Sequence, residues 1–335
     1  MAETDFSDRC KSLVLELGLC ARDEITEVRR LTGGVASDIA AVSFRDRTVC
    51  VKFALGKLNV AADWYAPIHR SRAEYAWLTT AGAAAPGCVP KVLGWSEGEH
   101  GFAMEFVAGP GVSLWKADLL AGRQEQGEAA AVASVLGRIH AASSAPGFDT
   151  TLFQNAADFE ALRVEPYLRY TANRHPNLAA PLLSLAEGLA NSRLALVHGD
   201  ISPKNILLSD GQPIILDAEC ASMGDPAFDV AFCLNHLVLK SIHVPAIAAS
   251  LRAAIGAFWA AYKSSIRWEA SAVCERRVAA LLPALMLARV DGKSPVEYLT
   301  QDEQQRVRNL AMPLVAAPPT NLKKFVQHLE QERAQ

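Results

Sequence analysis

The chain has 335 residues, 50% of them apolar and 21% charged, with a net charge of -3. That length buries a sizeable core and suffices for two lobes, while the charge supplies no general attraction to nucleic acid or to an anionic membrane. The acidic start Met1-Ala2-Glu3-Thr4-Asp5 is unlike a signal peptide, and the longest apolar stretch, 278–288, is too short to span a bilayer. Seven cysteines between Cys10 and Cys274 form no C-x-x-C pair. Reduced thiols in a cytoplasmic protein are the expectation.

Up to about residue 107 short β-type runs alternate with turn signals. Residues 25–31, 38–44 and 48–54 read as strands, the last two joined at Arg45-Asp46-Arg47. A helix follows over 70–81, stopped by Gly82 and Pro86, and then a hairpin over 89–95 and 101–107. Beyond Gly109 the apolar spacing turns helical over 128–141, 158–170, 177–190, 227–240, 245–263 and 268–288. The expectation is an α+β fold with a small β-rich lobe over 1–106, a larger helical lobe over 107–335, and a hinge near 104–109.

One β island, 196–216, interrupts the helices. It runs Leu196-Val197-His198-Gly199-Asp200-Ile201-Ser202-Pro203-Lys204-Asn205, then an apolar triplet, Ser209-Asp210-Gly211-Gln212, and a second apolar run up to Asp217. An Asp-Gly dipeptide between such runs predicts a hairpin. Pairing symmetric about Gly211 sets Asn205 opposite Asp217, with Cα atoms about 4.5–5.5 Å apart. An amide oxygen and a carboxylate that close suit Mg²⁺, which takes oxygen ligands. Asp200 sits just before them on a loop stiffened by Pro203.

The run His198-Gly199-Asp200 with Asn205 five residues on and Asp217 beyond resembles the catalytic loop and metal aspartate of the protein-kinase superfamily. Glycine after the histidine, and the later Gly224-Asp225-Pro226-Ala227-Phe228-Asp229, are similar to the aminoglycoside phosphotransferase, choline kinase and methylthioribose kinase branch. The resemblance spans about 31–239. It implies a two-lobed protein-kinase-like fold, with the first lobe binding nucleotide and the second holding the catalytic and acceptor sites. It also implies ATP and Mg²⁺ as cofactors and transfer of the γ-phosphate to a hydroxyl of a sugar-like molecule, amino alcohol or aminoglycoside. Under that resemblance Asp200 orients and deprotonates the acceptor hydroxyl, and Asn205 and Asp217 hold the metal. His198, Asp225 and Asp229 read as structural, Asp229 bracing the loop through backbone amides.

The resemblance extends to the small lobe. Lys52, late in its strand, matches the lysine that meets ATP phosphates, and Glu74 on the next helix is its natural partner. Gly33, Gly34 and Ser37 lie where a phosphate-covering loop is expected, and Glu105 and Val107 lie in the hinge that meets the nucleotide. Lys204 stands where glycine is commoner; it reaches a transferring phosphoryl oxygen or is a solvated lysine. Glu219 contacts a second metal or the acceptor, or merely caps a turn.

Gly224 arrives seven residues after Asp217. Protein kinases need about twenty or more there for a peptide platform, so a compact acceptor pocket is favoured. Its candidate wall is the turn with Arg289, Asp291 and Lys293. The helix dipole explains the cations there, and recognition of a polar or anionic group is the sharper reading. Asn235 and His236 are a second possible contact set. Trp64, Tyr65 and Trp115 do not make a clear cage for a cationic acceptor. The runner-up class is a non-catalytic nucleotide-binding protein, which would have dropped one of Lys52, Asp200, Asn205 or Asp217.

Overall fold

The computed structural model describes residues 3–31, 37–55 and 70–333. The chain divides into two compact units, Met1–Pro110 and Gly111–Gln335.

The first unit is built on an antiparallel sheet of five strands: β1 (Ile25–Arg30), β2 (Ser37–Phe44), β3 (Arg47–Ala54), β4 (Val92–Ser96) and β5 (Gly101–Glu105), in the order β1-β2-β3-β5-β4. Two helices accompany it, α1 (Glu3–Glu16) and α2 (Arg70–Ala84). Strand alternation sorts the side chains to opposite faces. Val49, Val51 and Phe53 join Ala40, Val42 and Phe44 in a core closed by Phe6, Cys10, Leu13 and Val14 of α1. Cys50 and Lys52, at the intervening positions of β3, therefore take the other face. Helix α1 is absent from the sequence expectation, although its apolar residues fall at helical spacing.

The second unit is mainly helical. In chain order come β6 (Val112–Leu114), α3 (Trp115–Leu120), α4 (Glu128–Ser143), α5 (Ala156–Phe159), a π-helical segment (Glu160–Arg169), α6 (Tyr170–Arg174) and α7 (Ala179–Asn191). Then follow β7 (Ala195–Val197), β8 (Ile206–Ser209), β9 (Gln212–Ile215), β10 (Ser222–Gly224), α8 (Pro226–His243), α9 (Ala248–Lys263), α10 (Ser271–Asp291), α11 (Gln301–Ala316) and α12 (Leu322–Arg333). The single helix expected over 158–170 is thus broken by a wide-turned stretch containing Pro166, which lacks the N–H that a regular helix needs. Helix α8 is the central pillar, with every residue from Pro226 to Lys240 buried.

The hairpin β8–β9 corrects the expected register. Ile206 pairs with Ile215 and Ser209 with Gln212, so Asn205 faces Leu216, whose N–H bonds to the Asn205 carbonyl at 2.9 Å. Asp217 lies one residue further on. The reason is the turn: Asp210 (φ 49°) and Gly211 (φ 78°) both adopt left-handed backbone, which makes a two-residue connection centred on their shared peptide bond rather than on the glycine. Strand β6 adds to β8, giving a three-stranded sheet, and β10 returns to pair with β7.

Candidate active site

The loop between β7 and β8 carries the residues that the sequence motif singles out, and α8 fixes its start. The His198 and Gly199 N–H groups donate to the two carboxylate oxygens of Asp229 at 2.7 and 2.8 Å. Asp229 is fully buried and also meets His140 Nε2 of α4 at 3.3 Å, while His140 Nδ1 lies 2.8 Å from the Tyr262 hydroxyl of α9. Three helices thus hold one carboxylate that holds two consecutive backbone amides. Gly199 is required here: at φ 79° its place admits no side chain, since an added Cβ would come within 2.7 Å of Cys220 Cβ.

His198 locks the next residue. Its Nδ1 accepts from the Asp200 N–H at 3.1 Å and its Nε2 faces the Leu216 carbonyl at 3.0 Å. That pattern requires a neutral ring protonated on Nε2, and burial pushes the His198 pKa down in the same sense. The imidazole is a brace between this loop and the end of β9.

Asp200 is buried, with Lys204 Nζ at 3.0 Å and Arg163 Nη2 at 3.1 Å from its Oδ2. Burial pushes its carboxyl up and Asp217 adds to that, but Lys204 and Arg163 outweigh both and hold it below the usual carboxylate value. Lys204, its side chain 45% exposed, rests its ammonium on Asp200. Arg163, on the π-helical segment, also donates to the Gly199 carbonyl. Nothing in its sequence surroundings marks it, because its partners in the Asp200 loop lie 36 or more residues away.

Asn205 is buried and donates its Nδ2 to the Asp200 carbonyl at 3.0 Å. That bond fixes the amide and leaves Oδ1 as the atom for a ligand. Asp217 has φ 70°, a strained conformation for a residue with a Cβ. Carboxylate oxygens of Asp217 and Glu219 lie within 4.8 Å of each other. Asn205, Asp217 and Glu219 offer oxygens only, the donor chemistry that Mg²⁺ or Ca²⁺ takes.

In the first unit, Lys52 Nζ lies 2.7 Å from Glu74 Oε1, with both side chains buried. The pairing follows from the alternation of β3, which turns Lys52 toward α2. Ser37, the first residue of β2, is buried and pairs with Ala54; Gly33 and Gly34 lie outside the described residues. Glu105 ends β5, its N–H bonded to the Lys91 carbonyl at 2.8 Å, and Val107 follows it, half-buried.

The expected acceptor wall divides. Asp291 is fully engaged: Arg308 donates to both its oxygens at 2.9 and 3.0 Å, and His175 Nε2 stands 2.9 Å away. It staples α10 to α11 and the α6–α7 connection. Lys293 pairs with Glu165 at 2.9 Å on the surface. Arg289 is buried and bonded to the Tyr167 hydroxyl at 3.1 Å. Asp225 caps α8 through the Ala227 N–H at 2.9 Å and takes Arg277 at 2.7 Å, a structural role. Trp115 is buried, and Trp64 and Tyr65 lie outside the described residues.

Comparisons with known proteins bear on the family and the fold. Methylthioribose kinase of Yersinia enterocolitica (serotype O:8 / biotype 1B) is 31% identical over 105 residues, covering 30% of this chain. The chain spans only 26% of the length of that relative. An ethanolamine kinase of Plasmodium vivax superposes with a TM-score of 0.55 at 13% identity, over 92% of this chain and 89% of that one. An amicoumacin kinase in complex with AMP-PNP, Ca2+ and Ami gives 0.55 at 14% identity, over 95% and 97%. These likenesses establish a kinase-like fold. The sequence matches the phosphotransferase enzyme family over residues 27–268, well over half its length, and the chain belongs to that family.

Proposed function

We propose that the protein is a kinase that uses ATP and Mg²⁺ to phosphorylate a hydroxyl group of a small molecule. The observation that carries this reading is the buried Asp200 carboxylate, kept anionic by Lys204 and Arg163 on a loop whose backbone is clamped by Asp229. In the reaction the acceptor oxygen bonds to the γ-phosphorus, the bond from that phosphorus to the β,γ-bridging oxygen breaks, and ADP departs with the electron pair. Phosphoryl transfer needs little covalent help, so positioning and charge carry most of the catalysis. Asp200 accepts the acceptor's proton and aligns its oxygen. Asn205 Oδ1 and Asp217, with Glu219 alongside, would hold a divalent cation, which would supply neutralisation of phosphate charge. Lys52, fixed by Glu74, would serve the ATP phosphates, and Ser37, Glu105 and Val107 of the same unit would meet the nucleotide.

A small acceptor is favoured over a polypeptide by the chain after Asp217. It turns straight back, with Ser222–Gly224 already paired as β10 against β7, and leaves no extended platform. The test is ADP formation with Mg·ATP across sugars, thio-sugars, hydroxy acids, amino alcohols and aminoglycosides, with Asp200→Asn alongside. One acceptor class is expected to stimulate turnover that the variant loses. ATP binding with no stimulation by any acceptor would support the non-catalytic alternative.

A further inference from the structure

Helix α8 places Phe228, Phe232, His236 and Lys240 at four-residue spacing, one stripe of its surface. Lys240 is 1% exposed, and among the described residues no carboxylate forms an ion pair with it. Its described contacts are with Tyr298: the hydroxyl at 3.5 Å from Nζ and the ring centroid at 4.9 Å. Arg289 of α10 donates through Nη1 to Tyr167 and to Ser294, while its Nε is buried without a hydrogen-bond partner among the described residues. Asn235 Oδ1 and His236 Nε2 are buried and unpartnered in the same way. The Asn235 amide nitrogen is bonded to the Phe232 carbonyl, so the oxygen is the free end.

The charges around this stripe are mostly of one sign. Arg289, Lys240, Lys204 and Lys116 all act on the His236 ring. Glu297 is the carboxylate that offsets them at Lys240, and it is already ion-paired with Lys116. Lys204 joins the cluster to Asp200, which it touches at 3.0 Å. Burying cations and polar atoms without partners is unfavourable. Among the described residues, Asn235 Oδ1, His236 Nε2 and Arg289 Nε are buried polar atoms without a hydrogen-bond partner, and the Lys240 ammonium has no ion pair, the complement of an anionic, hydroxylated ligand. Negative oxygens would satisfy Lys240, Arg289 and His236, and a ligand hydroxyl would donate to Asn235.

We infer that Asn235, His236, Lys240 and Arg289 form an anion subsite for the acceptor, so that the molecule phosphorylated carries a carboxylate or a phosphate beside its hydroxyl. This rests on the kinase reading above for the identity of the ligand as acceptor. It separates the protein from kinases of cationic amino alcohols, which need acidic or aromatic walls.

The test compares glycerate as a hydroxy acid, ribose 5-phosphate as a sugar phosphate, ribose as a neutral sugar and ethanolamine as a cation. Each is assayed for Mg·ATP-dependent ADP formation and for its effect on melting temperature, with wild type, Lys240→Met, Lys240→Arg and Arg289→Gln. An anionic member should give turnover, and the responding arm tells carboxylate from phosphate. Lys240→Met should raise its KM by roughly tenfold or more, a larger change than in kcat, and Lys240→Arg should recover part of the loss. Lys240→Met should also melt higher than wild type without ligand, because it removes a buried cation; a purely structural lysine would melt lower. Turnover confined to ribose or ethanolamine, and lost in Asp200→Asn, would overturn the anion subsite and leave the kinase reading intact. Stabilisation by an anion that depends on Lys240, without turnover, would support the subsite and count against the kinase reading. Neither turnover nor Lys240-dependent stabilisation by either anion would overturn the subsite.

Discussion

Asp229 holds the start of the Asp200 loop with both carboxylate oxygens, and asparagine has only one oxygen to offer. In Asp229→Asn, either the His198 or the Gly199 N–H, now bonded at 2.7 and 2.8 Å, must face an amide NH₂. One charge-assisted bond is lost and a buried donor is left without an acceptor. The two effects together amount to about 2–4 kcal/mol, equivalent to a fall in Tm of roughly 4–8 °C for a unit of this size. The loop then relaxes away from α8, and Asp200, one residue beyond Gly199, moves with it. A displacement near 1 Å costs about 100-fold in rate. Thermal unfolding and acceptor-stimulated ADP formation, measured on the same preparation, report the two effects. A variant with wild-type Tm and kcat would refute the idea that Asp229 positions the loop.

Asp217→Gly should abolish turnover without lowering Tm, because glycine relieves a left-handed backbone cost of about 1–2 kcal/mol against an unfolded-state entropy loss of about 0.4–1 kcal/mol; a clear drop in Tm would mean the side chain braces the fold. Lys52→Met should lower kcat/KM for ATP and destabilise by about 3–5 kcal/mol, since it strips the ammonium from a buried carboxylate. Adding Glu74→Gln should then recover stability and not activity, and independent, additive effects would contradict the coupling. Burial, reinforced by Lys116 and Arg289 and opposed by Glu297 and the Cys233 thiol, brings Lys240 down to about 7, with Tyr298 the neutral group against it. The free enzyme therefore carries that charge below pH 7 and loses it above. KM for an anionic acceptor should be flat below that point and rise above it, with Lys240→Arg flattening the profile; a pH-independent wild-type KM across the range would contradict the assignment.

What the sequence made legible was local. Alternating residues and turn signals placed the five strands of the first unit closely, and the Asp210-Gly211 dipeptide placed the hairpin. The hairpin register missed by one residue, because the turn centres on the peptide bond between two left-handed residues and nothing in the letters distinguishes that from a glycine-centred loop. The motif around Asp200 identified the loop, and its bracing by Asp229 was expected. The cations that keep Asp200 charged were less accessible. Lys204 was noticed without its partner, and Arg163 was invisible, because its contact is made across the fold by a segment whose π-helical winding no periodicity announces. The partners of Asp291 were hidden for the same reason: Arg308 and His175, which tie up its oxygens, come from α11 and the α6–α7 connection. Helix α1 was legible in principle, with Phe6, Cys10, Leu13 and Val14 on one face, but an acidic polar start reads as a tail until the sheet it covers is known.

The central claim is that Asp200 accepts the proton of a small-molecule hydroxyl as the γ-phosphate of ATP is transferred to it. Its most direct test follows the γ-phosphate of labelled ATP into the responding acceptor under single-turnover conditions, in wild type and in Asp200→Asn. The account predicts label in the acceptor with wild type, and a rate lower by about 10²–10⁴ in the variant, with its nucleotide binding kept. Transfer at the wild-type rate in Asp200→Asn would contradict the account.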